Sequence, residues 1–209
     1  MGYNRPRAMS EEVEAAVREA HRSGDLKGAV RMALSHYRAE VLSFLCARLR
    51  NDADANEVFA QTSEDVWRGI ETFRFQCSFR TWLYTLARHA AIRFERAPAN
   101  RARLRESLSR APEAIDRERS GTRPYLRTDV KDRLSQLRAT LTPDEQALLM
   151  LRVDRGLSWE EVSRVLYDDG EPDEATLRRQ AVNLRQRFRQ LTERLRERAR
   201  AEGWFDEDS

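Results

Sequence analysis

The feature that most constrains this chain is a pair of helix-start signals in its C-terminal third. Thr142-Pro-Asp-Glu145 and Ser158-Trp-Glu-Glu161 both place a hydroxyl residue at the N-cap and a glutamate at the third helical position, the pattern of a capping box. Pro143 stands at a first helical position, and Gly156 can end the first helix before the second begins. These signals predict two short helices, at 143–153 and 159–167, joined by a tight turn.

A long helix with one apolar stripe is predicted to follow at 174–200. An acidic turn with five carboxylates, residues 168–174, separates it from the second short helix. On a helical wheel, its apolar positions lie within roughly 40° of Leu177. These positions are Leu177, Ala181, Leu184, Phe188, Leu191 and Leu195. The opposite face carries Arg178, Arg179, Val182, Asn183, Gln186 and Arg189.

Two short helices ahead of a longer one with a polar outer face form a helix-turn-helix signature, in which the last helix enters the DNA major groove. Residues 174–200 contain nine Arg and three Glu, a net charge of +6, which suits the neutralisation of phosphates. An arginine-rich helix with a leucine stripe can also be a solvated helix of a bundle. The paired capping boxes and the short first helix favour DNA binding.

The composition of the 209 residues favours an all-α chain with two small cores. Charged residues make up 35% of it, yet the net charge is only +3, so the basic excess is local. Lysine occurs only at Lys27 and Lys131, and arginine, which suits bidentate contacts with phosphates and bases, carries the remaining positive charge. No apolar run approaches the roughly 20 residues that span a membrane, and no signal peptide is evident. We therefore expect a cytoplasmic protein without membrane insertion.

Catalytic and metal-binding patterns are not found in the sequence. The histidines at 21, 36 and 89 lack the spacing of metal ligands, and no Ser–His or carboxylate–His arrangement appears. Cys46 and Cys77 fit reduced thiols better than a disulfide, and a redox switch would rest on their presence alone. We expect no enzyme activity, no catalytic residues, no metal and no cofactor.

The N-terminal half is predicted to contain four helices after residues 1–9, which are expected to lack regular structure. Ser10 is the expected N-cap of the first helix, and Asp25 and Ser78 those of the second and fourth. The predicted ranges are 10–21, 25–50, 53–72 and 79–97. Trp67 belongs to the expected buried set of the third helix, together with Val58, Phe59, Val66 and Ile70. The fourth helix is expected to turn Thr81, Tyr84, Thr85, Arg88 and Ile92 outward.

An aromatic loop, residues 73–77, precedes the fourth helix. Aromatic rings beside cations can stack an unpaired base and hold its phosphate, which makes Arg74, Phe75 and Gln76 candidates for single-strand binding. On the fourth helix Arg80, Tyr84 and Arg88 lie one turn apart and could follow the same strand. Alternatively, Phe73 and Phe75 cover the core, and Arg80 and Arg88 form structural ion pairs.

Six segments, three in each half of the chain, resemble bacterial sigma factors of the extracytoplasmic-function type. In the N-terminal half they are Tyr37 to Leu45, Asp54 to Trp67 and, with the highest specificity, Ser78-Phe-Arg-Thr-Trp-Leu-Tyr-Thr-Leu-Ala-Arg-His89. In the C-terminal half they are residues 141–153, 156–162 and 176–185. The resemblance covers about three quarters of the chain and implies two partners, core RNA polymerase and promoter DNA. It leaves an anti-sigma partner open.

The resemblance also implies roles for named residues. The third helix would bind the polymerase clamp through Asp54, Glu57 and Gln61, although Ala60, Gln61 and Ser63 depart from the family pattern. The loop and fourth helix would recognise and melt the −10 element through Arg74, Phe75, Gln76, Arg80, Tyr84 and Arg88. The last helix would recognise the −35 element through Arg178, Arg179, Val182, Asn183 and Gln186, with Arg185 and Arg187 on phosphates.

The predicted organisation is therefore two small helical domains joined by a flexible linker. An N-terminal extension covers 1–24, a region 2-like domain 25–97, a linker 98–128, a region 4-like helix-turn-helix domain 129–200 and a tail 201–209. Two other classes stay open: a stand-alone helix-turn-helix regulator that never joins polymerase, and a sigma-like interaction or decoy protein.

Overall fold

The computed structural model describes residues 5–101, 103, 140–167, 170 and 172–202. All regular structure in these ranges is helical, as predicted. The chain divides into two compact units, Met1–Arg110 and Ala111–Ser209. The predicted linker and the start of the C-terminal domain fall mostly on residues 104–139, which lie outside the described residues, so the proposed domain boundaries stay a prediction.

Unit 1 is built from four helices in chain order: α1 (Arg5–Arg22), α2 (Leu26–Leu49), α3 (Asp52–Gly69) and α4 (Phe79–Arg96). Single 3₁₀ turns, Ile70–Thr72 and Pro98–Asn100, follow α3 and α4. Asp25 and Ser78 cap α2 and α4 as predicted, each accepting a hydrogen bond from a backbone N–H of the first turn. Ser10, in contrast, lies inside α1 and does not begin it, because the helix already starts at Arg5. The expectation that residues 1–9 lack regular structure is therefore wrong for residues 5–9.

The core of unit 1 lies where α2 packs against α3 and α4. Its largest fully buried side chains include Tyr37, Phe44, Phe79 and Tyr84, and the rings of Phe44 and Tyr84 meet edge to face at 5.3 Å. Ion pairs join α2 to α4 near both ends of α4: Arg80 to Glu40 and Arg48 to Glu95, each at 2.7 Å. The core therefore fixes α4 against α2 along its length.

Unit 2 contains α5 (Pro143–Leu149), α6 (Trp159–Val165) and α7 (Glu174–Ala201) in its described part. Both predicted capping boxes are present, with the Thr142 and Ser158 hydroxyls accepting from Glu145 and Glu161 N–H groups. The first predicted helix is not uniform, because Met150–Asp154 forms a π turn that closes it. Gly156 has φ +66°, which suits a glycine at the turn into α6.

Candidate nucleic-acid interface

The α7 helix has the two faces that its sequence predicts. Leu177, Ala181, Leu184 and Leu191 are buried, and Phe188 and Leu195 are half-buried. The predicted −35 residues are exposed without exception: Arg178, Arg179, Val182, Asn183, Arg185, Gln186 and Arg187. Val182, the one apolar side chain in this set, is 58% exposed. Their recognition of DNA stays a prediction, but the geometry leaves these side chains accessible.

A buried polar contact sets α6 against the first turns of α7. The Ser163 hydroxyl is fully buried and lies 3.0 Å from both the Leu177 carbonyl and Oε1 of Gln180. The Gln180 amide also donates to the Leu166 carbonyl at the end of α6. Because these bonds link the start of α7 to α6, the angle between the two helices is fixed by directional contacts as well as by packing.

Trp159, at the first position of α6, organises the cations beside α7. The Arg152 guanidinium lies 4.7 Å from its ring centroid and that of Arg185 lies 5.9 Å away, while Phe188 packs edge-on at 5.5 Å. Arg152 also donates to the Leu157 carbonyl at 2.7 Å. Cation–π contacts of this kind restrict flexible arginine side chains, so Trp159 holds Arg185 near the base of the helix-turn-helix.

The aromatic loop between α3 and α4 is partly ordered by stacking. Phe73 stacks on Trp82 with ring centroids 4.5 Å apart and contacts Phe75 at 4.6 Å. Phe75 adopts φ +53°, a left-handed conformation that costs a bulky residue roughly 1–2 kcal/mol. Both rings are half-buried, while Arg74 and Gln76 are exposed. Neither of these two polar side chains has a hydrogen bond or an ion pair within the described ranges of the chain.

Helix α1 lies directly behind this loop. The Glu14 carboxylate accepts hydrogen bonds from the backbone N–H groups of Phe79 and Arg80, at 2.7 and 2.8 Å, and from the Tyr37 hydroxyl at 2.9 Å. Burial, followed by the charge of Glu14, raises the pKa of Tyr37 well above its usual value, so the phenol stays a donor. About two turns further along α1, His21 lies 2.9 Å from the Ile70 carbonyl and packs edge-on against Phe75.

The predicted outward side of α4 is wrong in three positions. Tyr84 is fully buried against Phe44, Thr81 is also fully buried, and Arg88 is 3% exposed. Arg80 is half-buried and makes a bidentate ion pair with Glu40 on α2. This is the structural ion pair that the sequence analysis gave as the alternative role of Arg80. Burial acts to lower the pKa of Arg80, but the hydrogen bonds and charge of Glu40 raise it above its usual value. The helix packs with a wider buried face than its apolar stripe indicates.

The predicted docking face of α3 is also changed. Asp54 is only 2% exposed, so it is not an accessible contact, whereas Glu57 is exposed and Gln61 half-exposed. The guanidinium of Arg103 lies 3.5 Å from Asp54 and 3.4 Å from Glu57, so the chain's own cation occupies part of this face. Trp67, predicted to be buried, is 52% exposed on the same helix. The accessible surface of α3 is therefore more aromatic and less acidic than predicted.

Two other kinds of site, a metal centre and a membrane span, are not found in the described residues. These residues contain no group of His, Cys, Asp or Glu side chains arranged to hold a metal ion. None of the described helices is long and apolar enough to cross a bilayer. The structure describes only part of the acidic turn, because Asp168, Asp169 and Glu171 lie outside the described residues. Asp173 serves as the N-cap of α7, and the Thr176 N–H that it accepts lowers its pKa.

Comparison with known proteins agrees with this architecture. The family model for sigma-70 region 2 matches residues 33–101, which cover most of α2 and all of α3, the loop and α4. RNA polymerase sigma factor YlaC of Bacillus subtilis is 30% identical over 131 residues, 62% of this chain and 75% of that protein. RNA polymerase sigma-H factor of Pseudomonas aeruginosa is 24% identical over 164 residues, 76% of this chain and 84% of that protein.

The helical units, the aromatic loop and these matches together define a transcription initiation factor. The chain belongs to the RNA polymerase sigma factor family. The resemblance in the sequence is thereby confirmed, and the stand-alone regulator and the decoy are not favoured. Helix α1 lies outside the segment that the region 2 model matches. Its contacts with the loop and the start of α4, through Glu14, Arg18 and His21, were not predicted. They join positions far apart in sequence, which no periodicity could reveal.

Proposed function

We propose that the chain binds core RNA polymerase and, in that complex, recognises promoter DNA through its two units. The observation that carries the proposal is membership of the sigma factor family, because directing polymerase to promoters requires both partners. α7 is the proposed −35 reader, the loop at 73–77 the proposed −10 reader, and the exposed face of α3 the proposed polymerase contact.

Exposure and charge support α7 as the −35 reader. Arg179, Asn183 and Gln186 project from the side opposite the buried stripe, and arginine and amide side chains pair bidentately with guanine and adenine edges. Arg178 and Arg179 have contacts with Glu174 and Thr176 of the first turn, both exposed and easily exchanged for DNA. Asn183 and Gln186 have no hydrogen bond among the described residues, so their amides are available for base edges.

The loop provides the chemistry needed to capture a base. Unstacking a base costs a few kcal/mol, which stacking on Phe75 and hydrogen bonds from Gln76 would offset. The left-handed φ of Phe75 agrees with a functional position, since such strain persists only where the surroundings impose it. Because Tyr84 and Arg88 are buried and Arg80 forms an ion pair with Glu40, they are left out of the residues proposed to contact the −10 element. The remaining residues are Arg74, Phe75 and Gln76.

Polymerase docking is proposed for the exposed part of α3 around Glu57, Gln61 and Trp67. An exposed tryptophan is a typical centre of a protein interface, where aromatic residues dominate the binding energy. Departures from the family pattern at Ala60 and Ser63 leave this helix with fewer large side chains to contribute. The tryptophan is expected to carry a larger share of the interaction than the carboxylates.

The test is reconstitution with purified core polymerase. A tagged full-length chain is expected to co-elute with core enzyme in size exclusion and to give run-off transcripts from a promoter selected out of random DNA by the holoenzyme. Duplex binding without co-elution would instead identify a stand-alone regulator. Co-elution without any transcript would identify a decoy, and either result would overturn the proposal.

A further inference from the structure

We propose that helix α1 forms one wall of the single-strand site and that Arg18 is a nucleic-acid contact in it. The proposal rests on the proposed −10 function of the loop and adds a residue that lies outside the segment matched by the region 2 model. Its occupant is single-stranded DNA, recognised by a stacked base on Phe75 and a phosphate on Arg18.

The first step is the geometry of Arg18. Its guanidinium lies 4.8 Å from the centroid of the Phe75 ring, on a side chain that is otherwise exposed. Within the part of the chain that the structure describes, Arg18 forms no ion pair or hydrogen bond. A cation held against the ring that would stack a base is well placed for the phosphate next to that base.

The second step is a comparison of the cations on the two sides of the loop. On the α4 side, Arg80 is engaged by Glu40 and Arg88 is buried. Arg18 on the α1 side and Arg74 in the loop itself are exposed and carry no ion pair among the described residues. A strand held at Phe75 therefore meets accessible positive charge toward α1. Contacts between this charge and the phosphates would not depend on the base sequence.

The third step is the rigidity of the wall. Glu14, one turn before Arg18, binds the N-terminal N–H groups of α4, and His21, one turn after it, contacts the Ile70 carbonyl and the Phe75 ring. Arg18 thus stands between two contacts that tie α1 to both ends of the loop. Its backbone is fixed in place before any strand binds, so little order has to be gained on binding.

Four glutamates lie on the same helix as Arg18, and two of them, Glu11 and Glu12, stand about two turns before it. Glu14 is occupied by its three donors, and Glu19 is paired with Arg22 at 2.6 Å. Glu71 is exposed on the turn after α3 and is the carboxylate that a bound strand would have to avoid. The path that follows from these charges runs over Arg74 and Phe75 toward Arg18, away from Glu71.

The test measures binding of the full-length protein, assembled with core polymerase, to fluorescein-labelled oligothymidine and oligoadenine of about 12 nucleotides, a length within the site size of stacking modules. Affinity is determined over a series of salt concentrations for the wild type and for Arg18→Gln, Phe75→Ala and Arg31→Gln. Arg31 is an exposed α2 arginine and serves as the matched control for loss of one charge.

Arg18→Gln is expected to lower affinity by about threefold to tenfold and to flatten the salt slope by about 0.7, the value for one phosphate contact on single strands. Arg31→Gln should leave both unchanged, and Phe75→Ala should lower affinity with little change in slope. If Phe75→Ala lowers affinity and Arg18→Gln does not, the proposal that α1 contacts the strand is overturned, while the proposed role of the loop stands. If neither substitution has an effect, or the wild type binds no single strand, both the wall and the proposed −10 role fall.

Discussion

The buried ion pair between Arg48 and Glu95 is expected to contribute more to stability than an exposed pair of the same chemistry. Arg48 has only 7% of its side chain exposed, and its guanidinium meets both carboxylate oxygens of Glu95, at 2.7 and 2.8 Å. Arg68 and Glu64 on α3 form a pair of the same chemistry with 75% and 68% exposure. The two pairs provide a matched comparison within one unit.

Arg48→Ala is expected to destabilise unit 1 by about 3 kcal/mol, because it leaves a partly buried carboxylate without its cation. Arg68→Ala, the control, should cost less than about 0.5 kcal/mol, since water replaces the lost partner. Urea unfolding followed by circular dichroism measures both. Equal losses for the two variants would contradict a role for burial.

A pH effect is expected from Glu145 in the capping box of α5. Burial acts to raise its pKa, but hydrogen bonds from Arg194 and from Thr142 prevail, and the pKa is lowered below its ordinary value. A carboxyl with a depressed folded pKa stabilises the fold above its unfolded pKa and loses this contribution as the pH falls through the folded pKa. Glu145→Gln should therefore flatten the fall in melting temperature between about pH 5 and about pH 3. An unchanged acid profile would exclude Glu145 as a source of that fall.

At the scale of helices, α3 carries one buried carboxylate and one exposed carboxylate for which a contact with polymerase is proposed. Asp54 and Glu57 stand in the same helical turn, and sequence reasoning assigned them equally to docking. Because Asp54 is buried beside Arg103, Asp54→Arg is expected to destabilise unit 1 by several kcal/mol. Glu57→Arg should leave the melting temperature nearly unchanged and weaken core binding.

Trp67→Ala should weaken core binding more, by about 2 kcal/mol or above, as expected for an aromatic interface anchor. Affinity for immobilised core polymerase and thermal melts are the measurements. Full core affinity in both the Glu57 and the Trp67 variants would place docking on another surface.

On α7 the prediction concerns base against phosphate contacts. Arg179→Ala is expected to cost about 1–3 kcal/mol at one base position of the −35 element and to relax the preference there. Arg187→Ala should weaken binding to all sequences alike and reduce the salt slope by about 0.9. Competition assays with every single-base variant of the selected promoter distinguish the two. A uniform loss for Arg179→Ala would reduce it to a phosphate contact.

The elements also show what sequence could and could not predict. Caps and stripes are local, so the starts of α2, α4, α5, α6 and the faces of α7 were predictable. Which of Thr81, Tyr84 and Arg88 face the core depends on how α2 lies across α4, and Arg88 is a charged residue that no hydrophobic pattern places inside. The exposure of Trp67 likewise follows from packing, since its position on the helical wheel borders the apolar stripe.

At the scale of the whole molecule, the proposed function predicts that opening of the promoter needs both units together with polymerase. Phe75→Ala is expected to preserve duplex −35 binding and core docking but to slow opening, because the unpaired base loses its stacking surface. A template with a preformed bubble at −10 should largely restore the transcript yield. Permanganate reactivity of −10 thymines and run-off yield on both templates provide the measurements. Opening as fast as in the wild type would make Phe75 a core residue only.

The contact of Glu14 with α4 has a consequence for how unit 1 folds. Most packing in the unit joins helices that follow one another, such as α1 with α2 and α2 with α3, and such short-range contacts form rapidly. The hydrogen bond from the Phe79 N–H to Glu14, in contrast, spans 65 positions. During synthesis this hydrogen bond can form only after the start of α4 has left the ribosome, so α1 can pack on α2 before it meets α4.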